Sequence, residues 1–325
     1  MPACDYPLRF QPLFRRYLWG GRRLGELFGK PIGAGDDYAE SWEVVDHGED
    51  QSVVAHGPLA GATLGGLVTE HGTQLLGQHA GAARFPLLLK LLDCNRTLSV
   101  QVHPNDAQGA LLDPPDLGKT EAWVVVAADP GSKIYAGLKP GVTRDDLAAA
   151  LAAGECDRCL HEFEAQPGDC VFIPAGTVHA LGAGLVIAEI QQASDTTFRL
   201  FDWNRVGADG QPRPLHIERS LAVTDYDRGP VAPQTPQPLA EPGREELVRC
   251  EKFVLQRWTL DGPTTLGGDD RFHILVVLQG EVQIAGDPAD APLAAGQSAL
   301  LPAAAGDRQL TPTDKAVVLT MCLPD

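Results

Sequence analysis

Short runs of apolar residues recur along the chain, some alternating with polar positions and some compactly apolar, each bounded by Gly, Pro or Asp. They fall at 85–93, 98–103, 121–128, 170–175, 185–192 and 196–203. Runs of this length and edge chemistry predict strands. They follow one another closely with few helical patterns between them, which favours an antiparallel sandwich or barrel over a doubly wound parallel sheet. Further runs at 253–260, 272–285, 298–302 and 316–322 predict a smaller β-unit towards the end of the chain. The clearest helix is 142–153, rich in Ala and Leu, with Thr143 placed to cap it, Asp145 and Asp146 in its first turn and Gly154 at its end. Shorter helices are predicted at 24–28, 64–76 and 106–112.

The two groups of strands are separated by Pro230, Pro233, Pro236, Pro238 and Pro242, a density of proline that suits a stiff connector. The expected organisation is therefore 1–228, a linker at 229–244, and 245–325. A length of 325 residues leaves ample material for such a pair of cores.

Charge narrows the partners. The 43 acidic against 26 basic side chains give a formal net charge of -17, which repels polyanions, so nucleic acid is not an expected partner. A small anion remains admissible where a few basic groups are gathered locally. No apolar run approaches the roughly 20 residues that span a bilayer. The start, Met1-Pro-Ala-Cys-Asp-Tyr, lacks a basic segment followed by an apolar one. A cytoplasmic protein with no membrane partner is expected. The seven cysteines are read as reduced thiols. Cys156 and Cys159 have the C-x-x-C spacing, but no second pair or strand-helix context gives that spacing a metal or redox role.

The candidate chemistry begins in Leu98-Ser-Val-Gln-Val-His103. There the two-residue period of a strand puts Leu98, Val100 and Val102 on one face and Ser99, Gln101 and His103 on the other. Lys119 and Glu121 in Gly118-Lys-Thr-Glu-Ala-Trp123 project from one side of the next strand, a pattern that an exposed ion pair would also produce. In Pro167-Gly-Asp-Cys-Val-Phe-Ile-Pro-Ala-Gly-Thr-Val-His179, Gly168 and Gly176 allow tight reversals and deliver a second histidine. Gln, His, Glu and His together make a four-membered N/O set suited to zinc or another divalent transition metal. Downstream, Glu189 and Gln191 share one strand face, and Arg199 lies on the strand after it.

The order Gln-Val-His-Pro, Gly-Lys-Thr-Glu-Ala-Trp, Pro-Ala-Gly-Thr-Val-His-Ala-Leu-Gly and Glu-Ile-Gln-Gln-Ala-Ser-Asp-Thr-Thr-Phe-Arg-Leu-Phe-Asp-Trp, with Tyr-Leu-Trp-Gly-Gly at 17–21 and Glu-Ser-Trp-Glu-Val at 40–44, closely resembles the zinc-dependent, cupin-type mannose-6-phosphate isomerases in their shorter bacterial form. The resemblance extends over essentially the whole chain. It implies a mainly β protein of two jelly-roll cupin domains with helical insertions. It also implies one Zn2+ per chain, with Gln101, His103, Glu121 and His179 matching the ligands. Arg199 matches the active-site arginine, Lys119 a lysine beside the liganding glutamate, Glu189 an acidic residue of the cavity, and Ser99 and Lys90 positions near the substrate. Longer relatives usually carry His-Lys-Pro-Glu where this chain has Gly118-Lys-Thr-Glu121, so the role of that histidine does not carry over. The segment 294–306 keeps the Gly and Pro skeleton of a cupin turn without liganding histidines, and a metal-free second cupin is expected.

The reaction implied is interconversion of mannose 6-phosphate and fructose 6-phosphate by proton transfer between C1 and C2, through an enediolate-like transition state. Glu189, a metal-held hydroxide, and Lys119 as a neutral amine are alternative bases. Arg199 and Lys119 are also suited to holding the phosphate or the enediolate. Two histidines and a carboxylate also form iron oxygenase sites, so a cupin dioxygenase is the enzymatic alternative, and a sugar-binding cupin without turnover is the non-enzymatic one. A sugar phosphate is the expected partner, with the chain a monomer.

Overall fold

A computed structural model of the chain describes residues 2–206, 210–289 and 291–325. Four sheets of four to six strands, paired antiparallel throughout, form two jelly-roll sandwiches with helices inserted in the first. In the first, a six-stranded sheet ordered Cys170–Ile173, Glu121–Ala128, Leu185–Gln192, Leu87–Cys94, Tyr38–Val44, Leu13–Gly21 faces a five-stranded one ordered Leu160–Glu164, Lys133–Leu138, His179–Leu181, Val100–Val102, Phe198–Phe201. In the second, a six-stranded sheet built around Val254–Leu260, Ala316–Cys322 and His273–Gln279 faces a four-stranded sheet built around Arg308–Pro312 and Glu281–Ile284.

The two six-stranded sheets stack back to back. Leu87, Leu89, Leu91, Val124, Ala188 and Ile190 of one share a single core with Leu255, Ile274, Val276, Leu319 and Met321 of the other. Strands covered on both faces must be apolar almost continuously. This is why Leu87–Cys94 and Leu185–Gln192 are buried at every position. Their alternate residues point into the first sandwich, where Leu92, Trp123, Val125, Ile134, Leu181 and Ile187 make a second core. Lys90, Glu121, Glu189 and Gln191 share that inward face, which places polar groups inside the barrel.

Where the patterning predicts one strand over 272–285, the chain makes two, His273–Gln279 and Glu281–Ile284, bending at Gly280 with φ +75° so that the first pairs in the six-stranded sheet and the second in the four-stranded one. The predicted helix at 106–112 is a single turn, Asp106–Gly109, closed by a reciprocal capping box between Asn105 and Gln108. The helices at Leu64–Leu76 and Arg144–Ala152 form as expected, the latter capped by Thr143. Strands Leu13–Gly21, Tyr38–Val44, Lys133–Leu138, Leu160–Glu164 and Arg244–Arg249, and the helix Ile217–Val223, were not predicted from the patterning. The helix lacks a side-chain cap, and the strand Leu13–Gly21 carries consecutive arginines, so neither has a strong local signature. Within the proline-rich segment, Gln237–Pro238 pairs with the strand Arg244–Arg249 and Gln234 donates its N–H to the Cys170 carbonyl. All seven cysteines are free, and Cys156 and Cys159 are buried in a 3-10 turn where burial pushes the Cys156 thiol up to about 12. Among the described residues, no helix is long and apolar enough to cross a membrane.

Candidate functional site

Strand register assembles the site. Across the six-stranded sheet, Trp42, Lys90, Glu189 and Trp123 lie opposite one another in a single row, and Gln191 and Glu121 face each other two residues along. Across the five-stranded sheet, Arg199, Gln101 and His179 form the corresponding row. The two rows look at each other across a cavity of about 280 Å3 lined by Lys90, Ser99, Gln101, Lys119, Glu121, His179, Glu189 and Arg199.

At its base, His103, Glu121 and His179 bring one ligand atom each to within 4.8 Å of one another. Nε2 of His179 lies 3.4 Å and Nε2 of His103 3.7 Å from Glu121 Oε1. The other ring nitrogens are held by backbone carbonyls, since His103 Nδ1 is 3.0 Å from the Thr196 oxygen and His179 Nδ1 is 2.9 Å from the Thr177 oxygen. A carbonyl only accepts, so each Nδ1 carries the proton and each Nε2 presents its lone pair to the centre. Burial holds both imidazoles neutral, His103 as low as about 3 with Lys119 adding to the effect. Burial works against ionisation of Glu121, but the Lys119 ammonium holds its carboxyl well below the usual range. The amide nitrogen of Gln101 donates to Ser99 Oγ at 3.3 Å, while its amide oxygen accepts no hydrogen bond among the described residues and is available as a fourth donor. Two neutral imidazoles, a carboxylate and an amide oxygen are a donor set that fits a divalent transition metal.

Lys119 and Glu121 are not the exposed ion pair that their spacing also allowed. Both are buried, and Lys119 Nζ donates to Glu121 Oε2 and lies 3.3 Å from His103 Nε2 and 3.8 Å from Glu189 Oε1. Gly118 makes that approach feasible: a Cβ there would fall 2.5 Å from the carbonyl carbon of Asn105. Gly176, at φ +84°, turns the chain between Ile173 and His179.

On the same sheet as Glu121 stands Glu189, whose Oε2 accepts from Trp123 Nε1 at 3.0 Å and whose Oε1 is 3.9 Å from Lys90 Nζ. Burial, reinforced by the nearby Glu121 charge and only partly offset by Lys119 and Lys90, raises the Glu189 carboxyl to about 7. Lys90 is itself buried, yet Glu40, Glu189 and Asp195 more than offset the desolvation and push its ammonium up. Its Nζ sits 4.4 Å from the centre of the Trp42 ring, a cation–π contact. Arg199 uses Nε on Ser99 Oγ (3.3 Å) and Nη1 on the Pro214 carbonyl (3.0 Å). Its remaining nitrogen, Nη2, has no partner among the described residues.

The sequence reading assigned no role to Glu40, Asp195 or Arg213, which also line the cavity. Glu40 lies within the Glu-Ser-Trp-Glu-Val motif and Asp195 in the turn after Gln192, so both had a local signal that went unused. Arg213 had none. It sits in an irregular segment and is fixed by Asp202, at 2.7 and 2.6 Å.

Residues 8–131 match the family profile described as phosphomannose isomerase type I, catalytic domain, and residues 244–320 that of the mannose-6-phosphate isomerase cupin domain. The chain is 36% identical over 308 residues to the mannose-6-phosphate isomerase ManA of Bacillus subtilis, covering 94% of this chain and 95% of that protein. It is 38% identical over 280 residues to the mannose-6-phosphate isomerase of Streptococcus mutans, covering 86% of each. The crystal structure of the Bacillus subtilis mannose 6-phosphate isomerase superimposes with a TM-score of 0.88 at 28% identity, over 97% of this chain and 99% of that one. Profiles matching both sandwiches, and relatives aligned along nearly the full length, place this chain in the type I phosphomannose isomerase family.

Proposed function

We propose that this chain carries out its family's reaction, the interconversion of mannose 6-phosphate and fructose 6-phosphate, with one zinc ion held by Gln101, His103, Glu121 and His179. The observation that carries this reading is the convergence of two carbonyl-locked imidazoles and Glu121 beneath a cavity that also holds Lys90, Lys119, Glu189 and Arg199. When bound, zinc supplies Lewis acidity towards the sugar's carbonyl oxygen.

The rest is done by side chains. Glu189, buried and held by Trp123, removes the proton from C2 of the open-chain aldose and returns it to C1. The C–H electron pair passes into a C1–C2 double bond, and a proton moves from O2 to O1 as the ketose forms. Arg199 gives its free nitrogen to the oxygen that gains charge, and Lys119 holds Glu121 as a carboxylate. Lys90 and Ser99 contact the sugar phosphate. In this reading residues 1–228 form the catalytic cupin domain, 229–244 the linker and 245–325 a second cupin domain without metal. The chain works as a cytoplasmic monomer, with neither membrane nor nucleic acid as partner.

The test is a coupled assay of fructose 6-phosphate formation before and after chelation. Turnover that zinc restores supports the reading. A fully metal-loaded protein without turnover overturns it and turns attention to oxygen consumption, as a cupin dioxygenase requires, or to sugar binding alone.

A further inference from the structure

Leu275, Val277, Val282, Leu310 and Val318 fill the second sandwich with an apolar core. At one end its inward faces turn polar. Gln256 continues the face of Trp258, Thr320 that of Val318 and His273 that of Leu275, and they line a cavity of about 260 Å3. This is nearly the size of the 280 Å3 cavity in the first sandwich.

Polar groups on an inward sheet face are costly unless they are partnered. Thr320 is 4% exposed, and its hydroxyl makes no hydrogen bond among the described residues. Three arginines, Arg244, Arg249 and Arg271, stand around the cavity, with Asp269 the one acidic side chain in the lining. Arg271 gives Nε and Nη2 to Asp269 Oδ2 at 2.9 and 2.6 Å and also meets Asp325 at 3.1 Å, while Asp269 Oδ1 accepts from His273 Nε2 at 2.9 Å. Arg249 is paired with Glu246 at 2.8 Å. Arg244 has no carboxylate partner among the described residues. Its guanidinium lies 3.8 Å from the centre of the Trp258 ring and donates to Thr264 Oγ1 at 2.6 Å, so it is held flat with spare donors. In a chain of net charge -17, an ordered guanidinium without a carboxylate partner, sharing a cavity with the free Thr320 hydroxyl and with Gln256, whose Oε1 accepts from Trp258 Nε1 at 3.0 Å and whose amide nitrogen remains to donate, is a local reversal of the overall field.

We propose that the second sandwich binds a small hydroxylated molecule carrying one oxyanion group, a phosphomonoester or a carboxylate. Arg244 takes the anion, and Gln256 and Thr320 take the hydroxyl groups. The site is separate from the isomerase centre and does not depend on its chemistry.

Calorimetric titration of the zinc-loaded full chain with glucose 6-phosphate and with gluconate tests this. The expected result is a binding component that Arg199→Ala leaves in place, that Arg244→Ala weakens at least ten-fold, and that the near-isosteric Thr320→Val weakens several-fold with Tm unchanged. Isomerisation by Arg244→Ala should stay within two-fold of the parent. A response to glucose 6-phosphate alone assigns the phosphate, and to gluconate alone the carboxylate. Titrations that show only binding abolished by Arg199→Ala, or binding that neither second-sandwich variant alters, overturn the proposal.

Discussion

Glu189 and Lys90 face each other directly across the two strands that are buried on both sides, with 3.9 Å between carboxylate and ammonium. The pair sits in a low-dielectric row in which burial dominates, and the carboxyl is raised to about 7. A base must be ionised, so the rate should climb as pH rises through the Glu189 pKa. Added positive charge from a bound metal favours the carboxylate and moves that limb to pH 7 or below. Glu189→Gln should lower kcat by about 10²–10⁴-fold, the usual share of general base catalysis, and abolish the limb. A kcat profile whose acid limb survives in Glu189→Gln would remove Glu189 from the base role.

Arg199 is anchored through Ser99 and the Pro214 carbonyl and keeps one nitrogen for the substrate. Arg199→Ala should lower kcat by roughly 10²–10³-fold, the scale of a lost oxyanion donor. The zinc content should stay at one per chain, because among the described residues the arginine side chain makes no hydrogen bond to any of the four proposed ligands and meets Gln101 only by way of Ser99. Loss of zinc together with activity would show instead that the arginine supports the metal centre.

Asp116 is a support that lies outside the cavity. Its Oδ2 accepts from Thr196 Oγ1 at 2.8 Å and Ser194 Oγ at 2.9 Å, and its Oδ1 from Arg84 Nη2 at 2.9 Å and the Leu117 N–H at 2.8 Å. Thr196 is the residue whose carbonyl fixes the His103 ring. Asp116→Asn should weaken zinc binding by about 10–100-fold, as expected when the group orienting a ligand is disturbed. It should also cost about 1–3 kcal/mol of stability. Burial opposes the Asp116 charge, yet His47, Thr196 and Ser194 hold its carboxyl well below the ordinary 3.8. A folded-state pKa below the unfolded one gives stability that is fully present above about pH 4 and lost as pH falls. Acid unfolding of Asp116→Asn should therefore show a shallower pH dependence below pH 4; an unchanged slope would refute the assignment.

Gly118 is set by close approach of backbone to backbone. Gly118→Ala would press a methyl against Asn105 and shift Lys119, costing roughly 1–3 kcal/mol as overpacking does. Thermal unfolding and kcat should fall together, with the zinc site still loading. Wild-type kcat in this variant would mean that Lys119 tolerates displacement.

The site's ingredients were legible where a single strand carries them. Two-residue spacing correctly put Gln101 beside Ser99 and Glu121 beside Lys119, and resemblance named the rest. Burial was harder to read, because Lys119 and Glu121 look like a surface pair until the facing sheet closes over them. Asp116 could not be read at all, since Ser194 and Thr196 lie about 80 residues away and nothing local marks the association. The apolar runs of Leu87–Cys94 and Leu185–Gln192 announced strands, but not that a second sheet would cover their far face. That information resides in Leu255, Ile274 and Met321, far along the chain.

The common core behind the two large sheets ties the fate of the halves together. Opening either sandwich exposes the same layer of Leu87, Leu89, Ile190, Ile274 and Met321 to water, so the cost of losing one half is charged against both. Amide protons of the Leu185–Gln192 strand should therefore exchange only through global unfolding, and melting should be a single cooperative event. A weakened side chain such as Met321 in the remote half then lowers the population of working catalytic rows without touching them. The second sandwich thus completes a core that the catalytic half does not close by itself.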